Sequence, residues 1–323
     1  MRYLSYVHFK GLHIRNVWQT DGDDEVTGWH IGRSENVIVE NCAVYNTHGL
    51  GFGNNTCDEL YYINCDSYNH CDELTAVPAS NPMPGNDGTG FLDFNWTNST
   101  TKVYYQYCRA WDCGDQGFSS GSNGYTEYEG CWSFKNGRLE GGGHGFKMGW
   151  ISDPVPGVLN RLYKNCIAAY NRKYGFDSND QGYQSGALQL YNNTSYHNGY
   201  MGKRAAGFIV YNTQDGSSRE LERVYKNNIS YANEHGDIQV ISDAVYTHQN
   251  NSWDNPPGIQ ITNSTFISTD STGLSGPRQA NGSLPKLDFL KLNPSSAAVD
   301  AGTKSTGLPY SGSAPDLGAY EAN

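Results

Sequence analysis

The chain of 323 residues is poor in charge, and the charge it carries is mostly negative. Asp, Glu, Lys and Arg make up 17% of the residues, and 33 acidic against 22 basic side chains give a formal net charge of −11. The missing broad basic surface argues against a nucleic-acid binder. No run of 18 apolar residues occurs, so we expect no membrane-spanning segment. An anionic partner would need a metal ion or a few placed cations.

Two short patterns are also missing. No Cys-X-X-Cys pair occurs, which argues against a structural zinc site. The stretch from Met1 to Phe9 contains no basic segment followed by an apolar one, so we expect no signal peptide in this stretch. A solenoid also needs a capped end, and none is visible before residue 10. We therefore expect a trimmed chain, from a secreted, periplasmic or cell-surface protein that acts as a monomer.

Glycine and tyrosine are abundant, at 38 and 24 residues, as in proteins with many short strands and tight turns. The chain repeats one phrase: an Asn or Cys pair, an aromatic residue shortly after it, and then Gly-Phe. The shortest period is 23 residues, as from position 42 to position 65. The Gly-Phe pairs are Gly51-Phe52, Gly90-Phe91, Gly117-Phe118, Gly145-Phe146, Gly175-Phe176 and Gly207-Phe208. Such a period indicates stacked units that bury their apolar faces against one another.

The repeat predicts an all-β fold. Three short strands with turns between them fill about 23 residues, and stacking them gives a right-handed single-stranded parallel β-helix. We expect roughly 9–11 coils, each about 4.8 Å above the last. Residues 1–285 would form this domain, with an insertion near 76–86. Residues 286–323 would form a C-terminal capping tail packed on the solenoid.

The eight cysteines divide into two groups. Five occupy the same slot of successive repeats, which predicts an interior ladder of buried thiols: Cys42, Cys65, Cys108, Cys131 and Cys166. The other three, Cys57, Cys71 and Cys113, lie off this ladder. The sequence leaves open whether two of these three form a disulfide.

The Gly-Phe pairs also predict which side chains face outward. If each Phe points inward, the next residue points outward, because neighbours on a strand alternate. Lys147 then stands on an outer face, with Ser119 one coil before it and Asp177 one coil after it. The residues just before the Gly-Phe pairs should line the same corner: Asp87, Asp115, Gln116 and His144. Singly, each fits a surface ion pair or a turn cap; their coincidence favours a site.

Several segments, in this order, resemble polysaccharide lyase family 9, calcium-dependent β-helical lyases of pectate and rhamnogalacturonan. The resemblance covers about residues 30 to 321. The segments are Asn86-Asp87-Gly88, Arg109-Ala110-Trp111 through Gly117-Phe118, Gly145-Phe146-Lys147-Met148-Gly149, Gly175-Phe176-Asp177-Ser178-Asn179, Tyr191-Asn192-Asn193-Thr194-Ser195-Tyr196 and Ala314-Pro315-Asp316-Leu317-Gly318-Ala319.

The resemblance implies a chemistry. Lys147 would be the general base that takes the proton α to a uronate carboxylate, in an acidic polysaccharide substrate. Four residues stand at the family's calcium-binding positions: Asp87, Asp115, Gln116 and Ser119. Two of these are not carboxylates, and fewer charges imply weaker binding of Ca²⁺. Asp177 adds a complication, because a neighbouring carboxylate favours the protonated amine of Lys147.

The variable loops should provide the contacts to the sugar. The insertion at 76–86 and the segment 152–156 would wall the groove. Candidate substrate-binding residues are His144, Asp177, Arg138, Arg172 and Trp150.

Two other functions stay open. Gly143-His144-Gly145 matches a segment of polygalacturonases, β-helical glycoside hydrolases that need two carboxylates across the scissile bond. A non-catalytic solenoid, either an adhesin or a sugar-binding relic, would explain the missing carboxylates.

Overall fold

The structure, a computed structural model, describes residues 1–22, 26–75, 82–95, 100–149, 151, 157–179, 186–201, 205–211, 222–241 and 244–322. Within these residues, 25 β-strands form three parallel sheets. Consecutive strands enter sheets 1, 2 and 3 in turn, which gives eight complete coils and the first strand of a ninth. The predicted right-handed parallel β-helix is confirmed.

The strands are short, and most have five or six residues. Sheet 1 contains β1 (Ser5–Lys10), β4 (Glu35–Glu40), β7 (Asp58–Ile63), β10 (Lys102–Gln106), β13 (Tyr125–Glu129), β16 (Leu159–Lys164), β19 (Ala187–Tyr191), β22 (Arg223–Lys226) and β25 (Thr247–Gln249). Sheet 2 contains β2 (His13–Val17), β5 (Ala43–Thr47), β8 (Asp66–His70), β11 (Arg109–Trp111), β14 (Trp132–Phe134), β17 (Ile167–Ala169), β20 (Thr194–Tyr196) and β23 (Ile229–Tyr231). Sheet 3 contains β3 (Thr27–Gly32), β6 (Leu50–Asn55), β9 (Phe91–Asn95), β12 (Phe118–Ser122), β15 (Phe146–Lys147), β18 (Phe176–Asp177), β21 (Phe208–Val210) and β24 (Ile238–Val240). Two 3-10 helices follow, at Asn263–Thr265 and Lys304–Thr306.

The Asn-Cys and Asn-Asn pairs form the turn from sheet 1 to sheet 2. The first Asn of each pair has a left-handed backbone, with φ between 53° and 58°, a conformation that asparagine tolerates better than most residues: Asn41, Asn64, Asn165, Asn192, Asn227 and Asn250. The second residue points inward. The predicted ladder of buried cysteines is present, and it continues as Asn193, Asn228 and Asn251, where Asn228 Nδ2 donates to Asn251 Oδ1 at 2.8 Å.

The Gly-Phe pairs begin the strands of sheet 3. Their Phe rings are buried and stack along the axis, with centroids 4.8–5.0 Å apart: Phe52, Phe91, Phe118, Phe146, Phe176 and Phe208. At four of the six pairs the preceding glycine is needed because a polar pair from the next coil lies against it. At Gly117, for example, a Cβ atom would collide with Ser133 Oγ and lie 2.8 Å from Asn136 Nδ2. The repeated phrase thus encodes two of the three corners of a coil, from sheet 1 to sheet 2 and from sheet 2 to sheet 3.

The chain after β25 packs on the outer face of sheet 2. Trp111, Phe134 and Tyr196 from the sheet form one apolar cluster with Phe266, Leu274, Phe289, Leu292 and Leu317. The carboxylate of Asp66 in β8 binds Arg109 and also Arg278 of the tail, each with an N–O contact of 2.7 Å. The segment in contact with the solenoid therefore includes residues before 286. The division at residue 285 stays a prediction.

All eight cysteines lie within the described residues, and all are buried and free. The disulfide left open among Cys57, Cys71 and Cys113 is thus absent. No helix in the described parts of the chain is long and apolar enough to cross a membrane.

Candidate active site

Lys147 lies in the outer row of sheet 3. The register pairs Leu92 with Ser119, Ser119 with Lys147, and Lys147 with Asp177, so these four residues come from four consecutive coils. Lys147 is half-buried, whereas Asp177 is only 2% exposed. The outer row is therefore not open to solvent throughout. Beyond Lys147, the residues Tyr174, Ala205, Ala206 and Ile209 form a buried apolar cluster, and Ile209 is the partner of Asp177 on the next strand.

A groove of about 440 Å³ runs along this row, and Lys147 lines it. The four residues predicted at the calcium-binding positions line the same groove: Asp87, Asp115, Gln116 and Ser119. Among the described lining residues, Lys147 is the only cation. The structure thus brings together the amine and the oxygen ligands that the sequence placed at one corner.

The polar groups of this corner are held by short hydrogen bonds. Asp115 Oδ1 accepts the backbone N–H of Gly142 at 2.7 Å, and Gln116 Oε1 accepts the hydroxyl of Thr89 at 2.9 Å. Asp87 has a left-handed backbone, with φ of 63°, and its Oδ2 accepts Asn86 Nδ2 at 3.0 Å. These bonds fix the corner before any ligand arrives.

The donor set fits Ca²⁺ in kind. Calcium takes six to eight oxygen ligands, from carboxylates, amide carbonyls and water. Asp87, Asp115, Gln116 and Ser119 offer two carboxylates, an amide oxygen and a hydroxyl in one groove. Within the described residues, no three His, Cys, Asp or Glu side chains form a metal-binding group. A calcium ion here would therefore depend on the neutral oxygens.

His144 and Asp177 form a buried pair behind Lys147. His144 Nδ1 lies 2.7 Å from Asp177 Oδ2. Burial lowers the pKa of His144, although the Asp177 carboxylate opposes this shift. Burial acts to raise the pKa of Asp177, but the neighbouring His144, Lys173 and Lys147 outweigh it and hold that pKa below its usual range. The pair is thus a buried carboxylate beside the amine, with little surface left for a sugar.

The other predicted contacts to the sugar are not in the described groove. Arg138 donates to Asn69 at 2.6 Å and lies 3.5 Å from Glu73. Arg172 donates to the backbone carbonyls of Leu139 and Gly141. Trp150, the segment 152–156 and residues 76–81 of the insertion lie outside the described residues. Neither arginine lines the groove.

Several lining residues were not predicted. Asp72 is a third carboxylate, buried and bonded through Oδ1 to Gln19 Nε2 at 2.7 Å. Asn179 follows Asp177 by two positions, so the alternation that placed Lys147 would have placed it too. Asp72 gave no such signal, because it follows a strand of sheet 2 rather than beginning one of sheet 3.

Comparison with known proteins decides the family. The family model described as "Pel9A-like, right handed beta helix region" matches residues 2–213. The chain belongs to this family. The Pel9A-like chain is 30% identical to pectate lyase L of Dickeya dadantii (strain 3937) over an alignment of 340 positions, which covers 98% of this chain and 67% of that protein. It is 27% identical to pectate lyase L of Paenibacillus polymyxa (strain SC2), over 92% of this chain and 62% of that protein.

Solved structures agree. The crystal structure of pectate lyase Pel9A superimposes with a TM-score of 0.70 at 28% identity, over 93% of this chain and 70% of that one. A rhamnogalacturonan lyase superimposes with a TM-score of 0.67 over 90% of this chain and 71% of that one, and its 23% identity supports the fold alone. The Pel9A-like chain is thus a member of a polysaccharide lyase family.

Proposed function

We propose that this lyase cleaves a uronate-containing polysaccharide of the pectate or rhamnogalacturonan type by β-elimination, with Lys147 as the general base. One observation carries the proposal: Lys147 is the only cation among the described lining residues, and it shares the groove with Asp87 and Asp115. A proton-abstracting base must reach its substrate and have acceptors nearby to orient it. The relatives named as pectate lyases support the same class of substrate.

The chain's own residues would perform the following chemistry. The unprotonated amine of Lys147 takes the proton from C5, next to the uronate carboxylate. The electron pair of that C–H bond forms the C4–C5 double bond. The C4–O bond breaks, and the leaving oxygen takes a proton from solvent. The products are a new chain end and an unsaturated uronide.

Asp87, Asp115, Gln116 and Ser119 would hold Ca²⁺ beside this amine. When bound, the ion would neutralise the uronate carboxylate and so make the neighbouring proton more acidic. With two carboxylates in the set, we expect a dissociation constant on the order of 10⁻⁴–10⁻³ M, as in weak extracellular sites. Such a range fits a protein that works outside the cell. We propose this location, and we propose separately that the protein acts as a monomer.

Incubation with pectate and rhamnogalacturonan tests the proposal. We expect an ultraviolet-absorbing unsaturated product, and we expect Lys147→Ala to lower kcat/KM by about 10²–10⁴-fold, the usual contribution of a general base. Thermal unfolding of Lys147→Ala should match that of the wild type, since the side chain is half-exposed. A chelator should reduce the rate, and millimolar Ca²⁺ should raise the Tm of the wild type but not of Asp87→Asn.

The alternatives give different products. A hydrolase of the polygalacturonase type would release reducing ends without ultraviolet absorbance, and a non-catalytic solenoid would retain the polymer unchanged. The lyase proposal is wrong if no uronate polymer yields an unsaturated product, or if Lys147→Ala keeps full activity.

A further inference from the structure

The groove changes character on the side of the N-terminal coils. Two coils before Lys147, the outer row carries Leu92, about 10 Å away at the spacing of stacked strands. Phe94, on the same strand and the same side, also lines the groove, as does Leu50 at the start of β6. All three side chains are half-buried. We call Leu50, Leu92 and Phe94 the apolar platform.

A glycine makes the platform flat. Gly53 pairs with Leu92 in the register of the sheet, so it occupies the outer row one coil earlier. A Cβ atom at Gly53 would lie 2.7 Å from Leu50 Cδ2. Leu50 therefore lies directly over Gly53, beside Leu92. Val26 and Thr27 also line the groove beside the platform, so this part of the groove is mostly aliphatic.

The charges around the platform are acidic. The described lining residues include Asp72, Asp87 and Asp115, and no cation apart from Lys147. The segments that the structure does not describe between residues 23 and 185 contain no lysine or arginine in their sequence. Among the described lining residues, Lys147 is thus the only basic side chain that could meet a carboxylate of the polymer.

A free uronate on the platform would be poorly bound. Its carboxylate would lose water against aliphatic side chains without gaining a partner, which is costly, and the neighbouring aspartates would repel it. A methyl group has the opposite preference, because burying apolar surface is favourable. We propose that the apolar platform is a specificity-determining subsite for a methyl-bearing sugar next to the cleaved uronate. This inference rests on the lyase function proposed above.

Two kinds of sugar carry such a methyl group. One is a 6-deoxyhexose, and the other is a uronate whose carboxylate is methyl-esterified. Three polymers separate them: fully de-esterified polygalacturonate, highly methyl-esterified polygalacturonate, and an alternating polymer of uronate and 6-deoxyhexose. We expect kcat/KM on at least one methyl-bearing polymer to exceed that on the de-esterified polymer by about tenfold or more, the discrimination typical of one methyl group in an apolar pocket.

A change of charge on the platform should reverse the preference. Leu92→Lys offers a partner for a second carboxylate, so the ratio of kcat/KM between the preferred methyl-bearing polymer and the de-esterified polymer should fall by about tenfold. Ile267→Lys adds the same charge at an exposed position outside the groove and should leave the ratio unchanged. If Leu92→Lys does not fold, Leu92→Gln removes the apolar surface without a charge and should also lower the ratio.

The outcomes separate the two proposals. An unsaturated product with an equal or higher kcat/KM on the de-esterified polymer overturns the platform proposal and leaves the lyase intact. An unchanged ratio in a folded Leu92 variant also overturns it. The absence of product on all three polymers overturns the lyase function itself. A preference for one of the methyl-bearing polymers supports the platform and identifies which methyl group it binds.

Discussion

The outer faces of sheets 2 and 3 come from the same repeats, yet one is covered and the other is open. On sheet 2, Trp111, Phe134 and Tyr196 are buried under the tail, and Asp66 ties Arg278 of the tail to Arg109. On sheet 3, the outer row changes chemistry at every coil, from Leu92 through Ser119 and Lys147 to Asp177. The covered face carries apolar side chains because each of them must pack against the tail. The side chains of the open face have no such partner, so their chemistry can differ from coil to coil.

The comparison separates stability from activity. Substitutions on the covered face should lower the free energy of unfolding and leave the kinetics of the folded enzyme unchanged. Substitutions at Lys147 should lower kcat/KM and leave the free energy of unfolding unchanged. A substitution that changes both would show that the two faces are coupled through the thin coil between them.

The largest loss of stability should come from the centre of the tail contact. Phe289 is 2% exposed and packs its ring against Tyr170 and Tyr196. Phe289→Ala should lower the free energy of unfolding by about 3–5 kcal/mol, the usual cost of removing a buried aromatic ring. Urea unfolding measures this loss. Ile267→Ala, on the exposed side of the same tail, is the matched control and should change stability by less than about 0.5 kcal/mol.

A smaller loss should follow from the ionic contact. Asp66→Asn leaves Arg109, which is almost fully buried, and Arg278 without their carboxylate. Breaking a buried pair costs about 3–5 kcal/mol, and the partial exposure of Asp66 reduces the expected loss to about 2–3 kcal/mol. Tail-directed limited proteolysis should accelerate, while kcat/KM of the undigested enzyme stays within twofold. Unchanged proteolysis would mean that the apolar cluster alone holds the tail.

An effect that is absent at neutral pH lies at the corner between the two faces. His70 is fully buried, with Nδ1 2.7 Å from Thr47 Oγ1 and Nε2 2.8 Å from Ser67 Oγ. Burial lowers its pKa to about 3. The unfolded chain therefore takes up a proton below about pH 6.5 that the folded chain refuses, so stability falls as pH falls from 6.5 towards 3, by about 1.4 kcal/mol per pH unit.

His70→Asn isolates this effect. Asparagine occupies the same slot in later coils, where Asn136, Asn198 and Asn233 each donate to the serine three residues earlier. The variant should fold, and its stability should depend less on pH than that of the wild type between pH 7 and pH 5. The other histidines contribute equally to both proteins, so their effect cancels when the stability of the variant is subtracted from that of the wild type at each pH. Parallel stability curves for the two proteins would contradict the assignment.

The sequence predicted the parts of the molecule that repeat. The Phe ladder, the cysteine ladder and the outward direction of Lys147 all follow from strand alternation and a constant register. It did not predict that Asp177 and Ile209 are buried, because strand alternation gives the direction of a side chain and not what packs on it. Asp72 and the platform residue Leu50 were missed for the same reason: Asp72 follows one strand, and Leu50 lies over the outer row only because Gly53 leaves room.

The repeat predicts where the site residues lie better than it predicts what they do. It places four residues in one groove, and the structure brings them together there: Asp87, Asp115, Gln116 and Ser119. Whether two carboxylates and two neutral oxygens bind Ca²⁺ depends on a balance of charge and hydration that the repeat does not encode. Arg138 and Arg172 were chosen for their charge alone, and each is engaged by acceptors outside the groove.

The buried cysteines have a consequence for the chemistry of the folded chain. All eight thiols are buried and free, and burial raises the pKa of Cys57 and Cys71 to about 11, so the reactive thiolate is scarce at these two positions. Burial also keeps oxidants away from all eight thiols, because oxidation depends on exposure as well as on thiolate character. Unfolding exposes them and removes this protection. The tight packing of the coils thus acts as a chemical shield for the thiols.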